Sequence, residues 1–378
     1  MNDFLQNLPD INFAIKDPTT IQNEVISRFE EKLGRKLHPG DPWRQVLLGF
    51  VYYLSMQRAN IDFTGRQNLL KYSTDGFIQN IGALLGVRQL QAAAAVTTLE
   101  FTLSTTLPSN FIIPKGTRAT PGNDIHFATN EDVEVIAGQL TAAVNATCTQ
   151  VGEIGNGFEV GRVNRLTDVF PFSQGVQNTT ITQGGADTES IESLRNRIQL
   201  APESFSTAGP DGAYEFWAKS VSQLIIDVSV ETPSPGEVEV VPLLQGGEIP
   251  DQSMLDAVYA ECTPRTRRPL TDLVHVRPPE AVYYPLKLTY FISRRDSAAS
   301  LNIQQRVNQA IESYILWQKS KLGRSITPST LVEMVKQAGA SRIPLDDDML
   351  YPKFQRLRHY EIGVADVEDM SITYGGLE

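Results

Sequence analysis

The sequence predicts a multidomain α+β protein with an N-terminal helical region, a β-sandwich-like middle domain and C-terminal α+β domains. Two observations lead to this prediction. A chain of 378 residues is too long for one ordinary hydrophobic core. The spacing of the apolar residues also changes along the chain, from helical to alternating and then to a mixture of both. We therefore predict four domains, at residues 1–90, 91–183, 184–282 and 283–378.

The first 90 residues predict a helical region. Asp17 and Asp41 each precede a proline, and an acidic cap followed by proline is a typical helix start. The first helix is predicted to end at Gly34, and the second to extend to about Leu70. A third helix is predicted over residues 76–85, with Asp75 as its cap.

The next segment predicts a β domain. From about residue 96, short alternating segments are separated by glycine, proline and asparagine at intervals typical of a β-sandwich. Residues 92–95 are interpreted as a connector. The predicted strands cover residues 98–103, 111–113, 125–128, 132–136 and 140–148, with two further strands at 158–163 and 179–181.

The stretch from Gly184 to Val282 is dense in cap and turn residues. Asp187 is predicted to cap a helix that Pro202 ends, because proline cannot continue a helix. Gly209-Pro210 is predicted to begin the next helix. Two buried strands, a helix and a short strand are then predicted at residues 224–230, 238–244, 252–261 and 273–276.

The last 96 residues predict a second α+β lobe with the order strand, helix, helix, strand. The triplet Asp346–Asp348 is interpreted as a solvated loop, because consecutive acids point in different directions and lack the ligand spacing of a calcium loop. The predicted strands are 284–293, 343–345, 356–363 and 370–374, and the predicted helices start at about residues 300 and 328.

Composition excludes several classes of protein. A formal net charge of −11 argues against binding nucleic acid by phosphate neutralisation and against an anionic membrane surface. Cys148 and Cys262 are far apart, so we predict two reduced cysteines packed as small hydrophobes. No signal peptide is visible, and the apolar stretch at residues 46–54 is too short to cross a membrane. We therefore expect synthesis in a cytoplasm and no membrane insertion.

The sequence contains no recognisable catalytic motif. Its four histidines are scattered and have no partner at a metal-ligand spacing. It has no nucleophile elbow, no phosphate-binding loop and no zinc-protease helix motif. We therefore predict that the chain is not an enzyme and needs no cofactor or metal.

The second predicted helix is a candidate for subunit contacts. Its apolar residues cover more than one face, and such a helix needs burial on several sides. The helix is therefore either the centre of its own bundle or a surface that meets another subunit. The candidate interface residues are Leu47, Phe50, Val51 and Leu54.

A second candidate for subunit contacts is the basic segment with Arg265, Arg267 and Arg268. Arginine suits two-point pairing with carboxylates at interfaces. The alternatives are an internal salt bridge, an exposed loop or a nucleic-acid contact. We expect no nucleic-acid contact, because the whole chain is acidic.

The order of motifs after residue 183 resembles the baseplate J-like family. The resemblance is clearest from about Gly184 to Val282, and extends more loosely over the whole chain. The motifs, in order, are Gly184-Gly185-Ala186-Asp187-Thr188-Glu189-Ser190, Pro202-Glu203-Ser204, Ser206-Thr207-Ala208-Gly209-Pro210, Ala213-Tyr214-Glu215-Phe216-Trp217-Ala218, Pro233-Ser234-Pro235-Gly236 and Arg268-Pro269-Leu270-Thr271-Asp272.

This resemblance implies a structural wedge subunit in the baseplate of a contractile-tailed phage or related injection particle. The helical region is similar to one that bundles with a second copy and with another wedge protein. The C-terminal lobes are similar to parts that link neighbouring wedges into a ring around a central hub. That ring rearranges before the sheath contracts. The particle is expected to assemble in the bacterial host cytoplasm.

Two alternatives come from other classes of function. One is a tail-associated hydrolase acting on cell-wall polymer or glycan, which would need a converging pair of carboxylates or a nucleophile and base. The other is a carbohydrate-binding tail module formed by residues 96–181. The sequence shows no arrangement of residues that would favour either of them.

Overall fold

The computed structural model describes residue 5 and residues 7–206, 208–344 and 350–378. The chain divides into two compact units, Met1–Gln199 and Leu200–Glu378. The first unit contains the helical region and a β domain, and the second contains the remaining α+β elements. The finer division into four domains stays a prediction.

Three helices lie within residues 7–90, which the structure describes in full. The predicted caps are confirmed at Asp17, which accepts a hydrogen bond from the N–H of Thr20, and at Asp41, which accepts from the N–H of Trp43. Asp75 is not a cap, because it is the first residue of the third helix and Thr74 precedes it as the cap. The helices are α1 (Pro18–Leu33), α2 (Pro42–Arg66) and α3 (Asp75–Leu84).

The β domain contains a single curled sheet rather than the predicted sandwich. Six strands pair in the order β7-β3-β4-β6-β1-β8, and the two edge strands contact each other. Register shifts in β1 and β3 increase the local bend, which lets the sheet close into a barrel-like form. β2 and β5 form a separate two-stranded ribbon. The strands are β1 (Ala94–Leu103), β2 (Phe111–Ile113), β3 (Arg118–Gly122), β4 (Ile125–Thr129), β5 (Val133–Val135), β6 (Thr141–Val151), β7 (Arg165–Leu166) and β8 (Ser173–Asn178).

Several strand predictions in this domain are wrong. β1 begins at Ala94, inside the predicted connector, and β3, β7 and β8 had no predicted counterpart. Residues 158–163 and 179–181 form no strand. The buried amide of Asn178 explains this difference, because it donates to the carbonyls of Phe158 and Glu159 and accepts from the N–H of Val163. One side chain therefore supplies these partners in place of a strand ladder.

The helix α4 (Ile191–Leu200) follows the β domain and ends before Pro202, as predicted. Its predicted cap is wrong. The hydroxyl oxygen of Ser190 accepts the hydrogen bond from the N–H of Ser193. Asp187 instead accepts from the N–H of Glu153, across the β domain.

The second unit begins with a three-stranded sheet in the order β11-β10-β9. β10 pairs antiparallel with β9 and parallel with β11. Tyr214, Val240, Val258 and Val274 belong to the core that joins the sheet to its two helices. The elements are α5 (Asp211–Lys219), β9 (Ile225–Glu231), β10 (Glu237–Leu244), α6 (Gln252–Cys262) and β11 (Leu273–Val276).

The C-terminal part of this unit is a sheet in the order β13-β12-β14, packed on two helices. The strands predicted at 356–363 and 370–374 are wrong as separate strands, because residues 361–377 form one long strand beside β12. Ile343 is buried but lies outside any strand, and Leu345 and Asp346–Asp348 lie outside the described residues. The elements are β12 (Glu280–Ile292), α7 (Ser300–Lys319), α8 (Pro328–Gln337), β13 (Leu350–Tyr351) and β14 (Glu361–Leu377).

Candidate interface on the long helix

The structure separates the four candidate residues on α2. Val51 is buried, with 5% of its surface exposed, so it belongs to the core of the helical region and is not available to a partner. Leu47 is half-buried. Phe50 is 60% exposed and Leu54 is 41% exposed. Of the four candidates, Phe50 and Leu54 are thus accessible to a partner, and Leu47 is partly accessible.

The exposed apolar surface of α2 is larger than the sequence analysis proposed. Two flanks of the helix carry large apolar side chains that are open to solvent, and the buried stripe with Val51 runs between them. Such extensive exposed apolar surface is unusual for a monomer and marks an interaction site. One flank carries Trp43, Val46, Phe50, Leu54 and Ile61, and the other carries Tyr52, Met56 and Phe63.

The charges of α2 lie on its inner side. Arg44, Arg58, Asp62 and Arg66 are the charged residues of this fully described helix. At 100° per residue they fall within about 80° of one another, on the same stripe as Val51. The two exposed flanks therefore carry no charge. This distribution is the reverse of an ordinary surface helix, which turns its charged face to water.

Three of the four inner charges form ion pairs within the chain, and Arg44 donates to the carbonyl of Leu37. The side chain of Asp62 is almost fully buried, accepts from Lys16 Nζ at 2.6 Å and lies 3.1 Å from Arg66 Nε. The hydrogen bond from Lys16 holds the pKa of Asp62 below its usual value. Arg58 lies 3.7 Å from a carboxylate oxygen of Glu24 on α1. Within the described chain the uncharged flanks make a few aromatic contacts, between Trp43 and Phe29 and between Phe63 and Phe77, and otherwise stay open to solvent.

Two of the three arginines in the basic segment, Arg267 and Arg268, make contacts within the second unit. The guanidinium of Arg267 lies 4.2 Å from the centre of the Trp217 ring and forms an ion pair with Glu261. Arg268 donates to the backbone carbonyls of Thr263, Pro269 and Asp272. Arg265 is exposed. Of the three arginines proposed for an interface, only Arg265 points its charge outward.

Burial raises the pKa of two groups in the core of the second unit. The hydroxyl of Tyr214 donates to a carboxylate oxygen of Asp272 at 2.7 Å. Burial, with this hydrogen bond, raises the pKa of Tyr214 above its usual value. Burial also raises the pKa of the Cys262 thiol to about 12. These groups are therefore held neutral at physiological pH and act as parts of the core.

Two properties of the described ranges concern metal ions and membranes. No group of three or more histidine, cysteine or acidic side chains is arranged to hold a metal ion there. Within those same ranges, no helix is both long and apolar enough to cross a membrane.

The sequence analysis missed the buried polar residues beside α4. Glu189 belongs to the motif after Gly184, and its carboxylate forms a buried ion pair with Arg197. Arg195 is also buried and donates to the carbonyls of Leu70 and Ser73, which ties α4 to the turn after α2. The two arginines alternate with polar residues on a short helix, and nothing in that spacing indicates burial.

Two domains of this chain match models of known protein domains. The structure shows a modular α+β protein with exposed, uncharged flanks on α2. Residues 98–185 match the Baseplate J-like protein barrel domain, and residues 206–278 match the Baseplate J-like central domain. The chain thus carries matches to two baseplate J-like domains, which confirms the resemblance seen in its motif order. The barrel match also agrees with the curled six-stranded sheet.

Two curated relatives are phage baseplate proteins. The chain is 30% identical over 169 residues to baseplate protein J of Escherichia phage P2, covering 44% of this chain and 55% of the relative. It is 27% identical over 216 residues to baseplate protein gp47 of Escherichia phage Mu, covering 54% and 57%. The chain therefore spans about half the length of the curated relatives it matches. The family and these relatives are structural proteins and not enzymes, in agreement with the prediction.

A solved structure also resembles the chain. It is the cryo-EM baseplate of the anti-feeding prophage, with 13% sequence identity and a TM-score of 0.44, covering 91% of this chain and 90% of the other. A TM-score below 0.5 is too low to support an inference about function.

Proposed function

We propose that this chain is a structural wedge protein of a contractile-tail baseplate, and that α2 is its assembly helix. The observation that carries this proposal is the charge distribution of α2. Its charges are paired on the inner stripe, while Phe50, Leu54 and Ile61 stand on a flank without charge. Burying apolar area is the main source of affinity in stable assemblies, so an uncharged helical face suits permanent packing.

The proposed partners are a second copy of this chain, another baseplate wedge protein and the neighbouring wedges of the ring. α2 is 25 residues long, or about 37 Å at 1.5 Å per residue, which is enough for several layers of side chains in a helical bundle. Two exposed flanks let one helix contact two partners at once. This arrangement is consistent with a bundle of two copies and one further protein.

In this proposal the mechanism is conformational. The wedges form a ring around the central hub, at the end of the tail, after assembly in the host cytoplasm. Target engagement changes the contacts between wedges, and the ring transmits this change to the sheath. Rearrangement at packed interfaces supplies such a switch without bond chemistry, because two packings of one interface can differ by only a few kcal/mol.

Light scattering after size exclusion tests the assembly role of α2. We expect the chain to form a complex with two copies per partner when it is co-produced with the wedge protein encoded beside it. Phe50→Glu should weaken self-association at least about 30-fold, the size of a hot-spot loss. Leu301→Glu is the matched control, because Leu301 is 77% exposed on α7 in the second unit.

A control variant that weakens association as much as Phe50→Glu would contradict the assignment to α2. A chain that stays monomeric alone and with its neighbour would refute the wedge proposal itself.

A further inference from the structure

An extended N-terminal segment lies against α2. Residues 8–16, which we call the strap, form neither helix nor strand. The N–H of Phe13 donates to Asp62 Oδ1 at 2.8 Å, and the ammonium of Lys16 donates to the other oxygen at 2.6 Å. The N–H of Ile11 donates to the hydroxyl of Tyr72 at 3.3 Å. The strap is thus held on the C-terminal half of α2 and the turn that follows it.

The strap has a socket on α2 that only glycine leaves open. A Cβ placed on Gly65 would lie 2.4 Å from Cγ of Phe13, so any larger residue would collide with the ring. The Phe13 ring therefore occupies the space over the bare helix backbone. Together with the buried carboxylate of Asp62, the socket forms a site with a defined shape and charge.

Side chains next to the socket form hydrogen bonds with individual residues of the strap. Arg66 Nη2 donates to Asn12 Oδ1 at 2.7 Å. Lys71 Nζ and the hydroxyl of Tyr72 both donate to Asp10 Oδ1, at 3.0 and 2.7 Å. Each of these bonds joins a strap residue to residues 66–72. The site therefore recognises this particular sequence and not apolar peptides in general.

The strap is nevertheless bound weakly to α2. Every hydrogen bond described above has a side chain at one end or both, so no strand ladder fixes the segment. The apolar side chains of Ile11, Phe13 and Ile15 remain about half exposed. Segments with few buried contacts open at low free energy. The strap can therefore detach without unfolding α1 and α2.

We propose that the strap is exchanged between two copies of this chain, each seating residues 8–16 in the Gly65 socket of the other. The proposal rests on the self-association of α2 proposed above, which brings two sockets together. The occupant is a second copy because the socket is already filled by this same segment, so exchange reproduces every contact. Exchanging an identical element between protomers is a low-cost way to join them. It would also add the unpaired apolar residues of the strap to the dimer surface.

Engineered cysteines test the exchange directly. Cγ of Phe13 is one bond of about 1.5 Å from its Cβ, so a Cβ at residue 65 would lie at most about 3.9 Å from it. That separation suits a disulfide, in which the Cβ atoms are about 3.5–4.5 Å apart. Both native cysteines are buried and do not compete. The test oxidises the full-length double variant F13C/G65C mildly, because a Gly65→Cys chain that kept Phe13 would expel its own strap from the socket.

We expect the double variant to form a covalent dimer through this bond. The control combines S27C and G65C with Phe13→Ala, so that its first cysteine lies at an exposed position on α1 and the socket is free of the ring. A control that cross-links equally fast would show random collision and overturn the proposal. An internal disulfide without any covalent dimer would show that the strap stays on its own chain.

Charge reversal gives a second measurement that needs no disulfide. Lys16→Asp and Asp62→Lys each place like charges between a strap and its own socket. An exchanged heterodimer of the two variants restores an attractive pair at both sockets, so it should form at least about tenfold more readily than either homodimer. Equal association of all three pairings would overturn the exchange. Wild-type dimers with no sign of exchange would leave the α2 proposal standing, whereas a wild-type monomer would refute both.

Discussion

Arg197 and Glu189 form a buried two-point ion pair in the first unit. Nε donates to Oε1 at 2.7 Å, and Nη2 donates to Oε2 at 2.8 Å. Glu189 also accepts from the N–H of Leu90, and Arg197 donates to the carbonyl of Arg88. The pair therefore ties α4 to the segment that leaves α3.

Glu189→Gln should destabilise the first unit by about 3–5 kcal/mol, because it leaves a buried guanidinium without its counter-charge. Chemical denaturation followed by circular dichroism measures this loss. Glu24→Gln is the control, because the ion pair of Glu24 with Arg28 joins two exposed side chains and should contribute less than about 1 kcal/mol. Equal losses from the two variants would show that burial of the pair does not set its contribution.

Gly185→Ala should destabilise the chain by about 1–3 kcal/mol, the usual effect of overpacking. A Cβ on Gly185 would lie 2.4 Å from the carbonyl oxygen of Gly152, and backbone cannot move aside as a side chain can. Gly49→Ala on α2 is the opposite case, because a Cβ on Gly49 would have no atom within 4 Å. Alanine favours the helix more than glycine does, so this variant should stabilise the fold by up to about 1 kcal/mol. Thermal unfolding compares the two variants. A Gly185→Ala chain with an unchanged melting temperature would contradict the steric argument.

Glu239 should make the second unit less stable in acid. The hydrogen bond from Arg277 holds the pKa of Glu239 below its usual value. A lowered pKa stabilises the fold above the unfolded value of about 4.3, and this contribution is lost as the pH falls through the folded value. We expect a loss of about 0.5–1 kcal/mol between pH 6 and pH 3 that Glu239→Gln abolishes. A variant with the same pH dependence as the wild type would show that another carboxylate is responsible.

The two thiols should be unreactive in the folded protein. Cys148 and Cys262 are both buried, and the pKa of Cys262 is raised to about 12, so little thiolate is available to react. A thiol reagent at pH 8 should label neither cysteine in native protein and both in denaturant. Rapid labelling of native protein would show that the core around α6 opens readily.

Local signals in the sequence predicted the helix starts well. Asp17 and Asp41 cap their helices because an acid followed by proline needs no distant partner to act. Asp187 was assigned wrongly as a cap because Ser190 can do the same, and a distant N–H at Glu153 takes the carboxylate. A choice between two local caps was thus decided by a contact 34 residues away.

The candidate interface residues differ in burial, and their role in subunit contacts stays a prediction. The apolar excess of α2 indicated a surface, but Val51 proved to belong to the core. The spacing of Arg44, Arg58, Asp62 and Arg66 already marks the inner stripe, and it would have separated Val51 from Phe50. The ion pair between Glu189 and Arg197 had no such signal, because neither residue type is expected inside a core.

The parallel pairing of β12 with β14 has a mechanical consequence. The two strands run side by side from Glu280 to Ile292 on one and from Glu361 to Leu377 on the other. A force that pulls the start of one strand away from the end of the other stretches many of these evenly spaced hydrogen bonds together. Such a lobe resists shear along its strands far better than it resists peeling.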